Sequence, residues 1–73
     1  MCYPYSRRHQ AAERTAMRRW LRTRGIAPVM GQEPSHTELL MKQVLAAGGD
    51  PGAVMAKGRA ELDARIRARE EGA

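Results

Sequence analysis

The stretch Ser6–Arg24, SRRHQAAERTAMRRWLRTR, reads as one helix with two unlike faces. Winding it at about 100° per residue puts Arg7, Arg8, Arg14, Arg18, Arg19 and Arg22 in one sector of roughly 140°. Only Ala11 and Thr15 interrupt that sector, and it holds no acid. Ala16, Met17, Trp20 and Leu21 lie on the other side, spaced to pack inward. Glu13 is the only acid of the stretch. It sits on the apolar side, where Gln10, His9, Ala16 and Met17 are its neighbours three and four residues away. No arginine of the stripe has an ion-pair partner within the helix. The stripe is therefore predicted to face water and to be open to an outside partner.

The signals around this helix define the rest of the fold. Gly25 can take the left-handed position past its end. Ile26 then makes an apolar contact back to Leu21, and Pro28 blocks continuation. Ile26–Pro34 has no periodicity and carries Pro28, Gly31 and Pro34, so it reads as a loop. Its apolar members Ile26, Val29 and Met30 predict that it packs across the helices. Ser35-His36-Thr37-Glu38 is a capping box opening a second helix over His36–Ala47, in which Leu40 and Val44 form one apolar row and Met41 and Leu45 another. Gly48-Gly49 ends it. Asp50 then caps a third helix with Pro51 at its first position, running to about Arg69. Lys57–Glu61, Arg59–Asp63, Glu61–Arg65, Asp63–Arg67 and Arg67–Glu71 are opposite charges four apart, so this helix reads as a self-neutralised, solvated face.

The expected fold is all-α: a small three-helix domain with a long loop between the first and second helices. It forms a single domain over residues 1–73, with residues 1–5 as an N-terminal cap and 70–73 as a frayed tail. Ser6 can serve as N-cap, and Tyr3 and Tyr5 are expected to fold back on Trp20 and the core, to fray, or to face a partner. Leu21, Leu40, Val44, Met55, Leu62 and Ile66 are the expected core. A chain of 73 residues buries only about 60% of its unfolded surface, so that core is thin.

The formal charge of +5 is unevenly placed. Residues 1–34 hold seven arginines against two acids, whereas residues 35–73 hold six bases and six acids. All the net charge lies in the first part, which points to an anionic partner. Three readings of the stripe stand side by side: a solvated face, contact with nucleic-acid phosphates, or docking on an acidic protein surface. Membrane binding would require Trp20, Leu21 and Met17 to leave the core, so no membrane partner is expected.

Other chemistry finds little support. Cys2, His9 and His36 have spacings that match no zinc pattern, and Cys2 is the only cysteine. Gly48-Gly49-Asp50-Pro51-Gly52 lacks the lysine and the preceding strand of a phosphate-binding loop. No catalysis, metal, cofactor or small-molecule substrate is expected. The joint between the second and third helices has the length of a helix-turn-helix. Its reading residues would be Gly52, Ala53 and Lys57, on a helix without net positive charge, which makes a poor base reader. No apolar run approaches a membrane span, and no signal peptide is expected.

With its length, its arginine-rich composition and the basic SRRHQAAERTAMRRWLRTR segment over an otherwise neutral helical chain, the sequence resembles small phage-encoded regulators. These bind host bacterial RNA polymerase, inhibit initiation and in some cases cause antitermination. The resemblance implies a non-enzymatic transcription regulator in the host bacterial cytoplasm. Its partner would be polymerase, with nascent RNA or DNA phosphates as further contacts. The residues offered for binding are Arg7, Arg8, Arg14, Arg18, Arg19 and Arg22, with Val29, Met30 and Val54 as apolar contacts. The alternatives are a direct nucleic-acid-binding repressor and a small phage structural protein contacting DNA.

Overall fold

The computed structural model describes residues 7–31, 33 and 35–72. Within them lie three helices, α1 (Arg7–Thr23), α2 (Ser35–Ala46) and α3 (Pro51–Gly72), and no strand. The fold is a small all-α domain. The expected cap at 1–5, Ser6 and the two N-terminal tyrosines lie outside the described residues.

The ends of α1 and α2 follow the glycine signals. The Ile26 amide donates to the Leu21 carbonyl and the Gly25 amide to the Arg22 carbonyl, each at 3.0 Å. This is the Schellman arrangement, with Gly25 at φ 76°. Ile26 then packs against the core. The end of α2 repeats it, Gly49 donating to Val44 at 2.9 Å and Gly48 to Leu45 at 3.0 Å. At its start, α2 takes in Ser35 itself, one residue before the capping box puts it, and the His36 amide donates to the Glu33 carbonyl at 2.9 Å. Asp50 caps α3 as expected: its Oδ1 accepts from the amides of Gly52 at 3.0 Å and Ala53 at 3.3 Å. α3 is helical to Gly72, three residues beyond Arg69, where the sequence places its end. Ala68, Arg69, Glu70 and Glu71 are all good helix formers, and nothing interrupts them.

α1 is the hub, packed on both other helices, and α1 against α3 is the larger interface. Met17 and Leu21 of α1 meet Leu40 and Val44 of α2 in a fully buried cluster. Trp20, Ile26, Val29, Met41, Ala47, Val54 and Met55 are packed around it. The expected core holds at Leu21, Leu40, Val44 and Leu62. It does not hold at Met55 and Ile66, which are only half-buried. The reason is a close helix crossing. A Cβ on Gly58 would lie 2.6 Å from the Ala12 carbonyl oxygen and 2.8 Å from Ala16 Cβ, so α1 rests directly on the α3 backbone there. That contact centres the interface on Gly58 and Leu62 and turns Met55 and Ile66 to its rim.

The charges of α3 are also used differently from the expected solvated ladder. Arg59 Nη1 donates to Glu13 Oε2 at 2.5 Å, His9 Nε2 lies 2.6 Å from Asp63 Oδ1, and Arg19 Nη1 lies 3.4 Å from Glu61 Oε1. His9 and Glu13 are four residues apart on α1, and their partners Asp63 and Arg59 are four apart on α3 in reverse order. The two helices therefore run antiparallel, and residues predicted to pair within α3 bridge to α1. Glu13 is buried and is held from α3 by Arg59.

Candidate interface on the first helix

The six stripe arginines do not form one surface. Arg14 and Arg18 are only 6% and 8% exposed, which corrects the expectation that the whole stripe faces water. The physical cause is the connection between α1 and α2, which folds back over them. Arg18 Nε donates to the Val29 carbonyl at 3.2 Å, and its Nη2 donates to the Gly31 carbonyl. Arg14 Nη1 donates to Thr37 Oγ1 at 3.2 Å, tying α1 to the first turn of α2. Gln43 completes the clamp from the other side: its Oε1 accepts from the Val29 amide at 2.9 Å and its Nε2 donates to the Ala27 carbonyl at 3.1 Å. A segment without secondary structure must place its polar backbone groups somewhere, and here Arg18 and Gln43 receive them.

This inner pair is electrostatically uncomfortable. No ion pair joins Arg14 or Arg18 to a carboxylate among the described residues. Arg14 Nε is buried with no hydrogen-bond partner. Burial, then the nearby charges of Arg14 and Arg22, hold the Arg18 guanidinium below the ordinary arginine range. It stays charged at neutral pH all the same.

The outer members are Arg7, Arg8, Arg19 and Arg22, all exposed. Arg8, Arg19 and Arg22 share an arc of roughly 60° around α1 with exposed Thr15 between them. Arg19 is engaged by Glu61. Arg22 Nη2 lies 3.7 Å from the sulfur of Met30, a side chain 64% exposed. An apolar group thus stands in contact with the basic strip. Leu39 and Leu45 on α2 are also exposed. Of the other two apolar contacts offered by the sequence, Val29 and Val54 are half-buried against the core.

Beside the strip, between α1 and α3, lies a groove of about 230 Å³. Ala16, Trp20 and Val54 supply its apolar lining, and Arg19, Thr23, Lys57 and Glu61 its polar walls. The Arg24 guanidinium stacks over the Trp20 ring, 3.7 Å from its centroid. Periodicity within one helix misses this groove because its walls come from residues about forty apart. The signal that could have found it is weak: Lys57 and Glu61 sit four apart on the side of α3 that also carries Val54.

No family model, no curated protein and no solved structure matches the chain. Among the described residues no helix is long and apolar enough to cross a membrane. Among the described residues no cluster of three metal-ligating side chains forms.

Proposed function

We propose that the protein is a non-enzymatic transcription regulator of the phage type, which binds host bacterial RNA polymerase in the host cytoplasm by protein contact. Binding inhibits initiation and can promote antitermination. The contact surface is the outer strip, Arg7, Arg8, Arg19 and Arg22, with Met30 beside it. The choice of polymerase rests on the family resemblance. The observation that favours protein over nucleic acid is Met30 standing exposed against Arg22. Protein interfaces combine a buried apolar contact with arginine, whereas phosphate contacts need charge alone.

Direct binding to DNA or RNA is the second reading. It is favoured by the absence of any acid on the exposed arc of α1. Capture from bacterial lysate separates the two. Polymerase retained after nuclease treatment, with shallow salt dependence and poor displacement by heparin, is the expected result. Loss of all partners with nuclease, and affinity falling linearly and steeply in log salt, would replace the first reading by the second.

A further inference from the structure

We infer that the groove between α1 and α3 is an anchor pocket for one aliphatic side chain of an acidic peptide segment on the partner. The inference rests on the proposed protein contact and gives its chemistry. Its apolar lining is built from Ala16, Trp20 and Val54, small methyl-bearing groups around one ring. A single buried anchor in such a pocket dominates many interfaces. The walls are cationic on both sides, Arg19 from α1 and Lys57 from α3, and the Arg24 guanidinium lies over Trp20. Glu61 is the one acid of the lining, and Arg19 already holds it. Arg19 belongs to both the groove and the outer strip, so a segment seated in the groove continues onto Arg8 and Arg22.

The same geometry disfavours a nucleotide. One face of Trp20 is covered by Arg24, so the ring cannot be sandwiched against bases on that side. A peptide also brings amide N–H groups that can donate to the Glu61 carboxylate, which a phosphodiester cannot do. Carboxylates flanking the anchor find Lys57, Arg19 and Arg22 within the surrounding surface.

Trp20 is the only tryptophan of the chain, so its indole N–H resonance reports groove occupancy directly. Three probes are titrated by NMR: a nine-residue peptide of Asp and Glu with a central Leu, the same peptide with a central Ser, and an oligothymidylate of equal charge. The Leu peptide is expected to shift the Trp20 indole and Val54 methyl signals saturably. Replacing Leu by Ser should weaken binding roughly tenfold or more. Lys57→Glu should weaken the Leu peptide several-fold; Thr23→Tyr, which fills the groove from an exposed position, provides a second variant if the first unfolds. Equal affinity of the Leu and Ser peptides would remove the anchor pocket and leave the strip as a charge-only surface. An oligothymidylate that moves Trp20 more than the Leu peptide would make the groove a base site. No saturable shift with either peptide at millimolar concentration would also overturn the inference. Polymerase capture in the presence of nuclease judges the wider reading independently of all three outcomes.

Discussion

The inner and outer arginines of α1 are chemically identical and lie on one helix, yet they do opposite work. Arg14 and Arg18 are covered by the α1–α2 connection and by α2, and they hold backbone carbonyls and Thr37. Arg7, Arg8 and Arg22 are exposed, and among the described residues Arg7 and Arg8 make no side-chain hydrogen bond or ion pair. Arg18 ties down a segment and is needed for the fold; a charge that faces water is available to a partner. Helical periodicity alone cannot separate the two, because both sets share one sector.

Substitutions can break or sharpen this division. Leu40→Ala sets the scale: it empties a fully buried site and should cost roughly 2–4 kcal/mol, read from a circular dichroism melt. For a domain this small that is a large part of its total stability. Arg18→Ala comes next. It removes the donor of two loop carbonyls and should cost about 2 kcal/mol, against a change under about 0.5 kcal/mol for Arg22→Ala. Equal losses in the two variants would erase the division.

Arg14→Met sharpens it. Arg14 makes one hydrogen bond, leaves Nε buried and unpartnered, and repels Arg18. An apolar side chain of similar reach should leave stability within about 0.5 kcal/mol of wild type or raise it. The lowered pKa of Arg18 means that folding disfavours its charged form. Stability from this source would rise only as pH climbs through the folded pKa, so between about pH 5 and 9 it should be flat. Smallest of all, changing Arg7, Arg8 and Arg22 together to Ser should leave the melt nearly unchanged.

Much of the fold was legible in the sequence because its signals are local. Gly25-Ile26, Gly48-Gly49 and Asp50-Pro51 each act within a few residues, and each appears where the sequence places it. The paired apolar rows of α2 likewise predicted Leu40 and Val44 as core. The misreadings share a different cause, since each depends on residues far apart in the chain. Glu13 finds Arg59 across 46 residues, Asp63 finds His9 across 54, and Gly58 sets which face of α3 is inward by touching Ala12 and Ala16. The apolar character of Ile26 and Val29 foretold that their segment would pack back on the helices, whereas Met30, read the same way, stays exposed. That character did not show which arginines the segment would cover, since that depends on carbonyls rather than on side chains.

The most direct test of this division measures polymerase binding by the Arg7→Ser, Arg8→Ser, Arg22→Ser variant, in nuclease-treated conditions, with its melt recorded alongside. Arg19 is left in place because Glu61 engages it. The expected result is a wild-type melt with affinity at least tenfold weaker. A variant that melts as wild type and binds polymerase with wild-type affinity would contradict the account, because the outer arginines would then be neither structural nor functional.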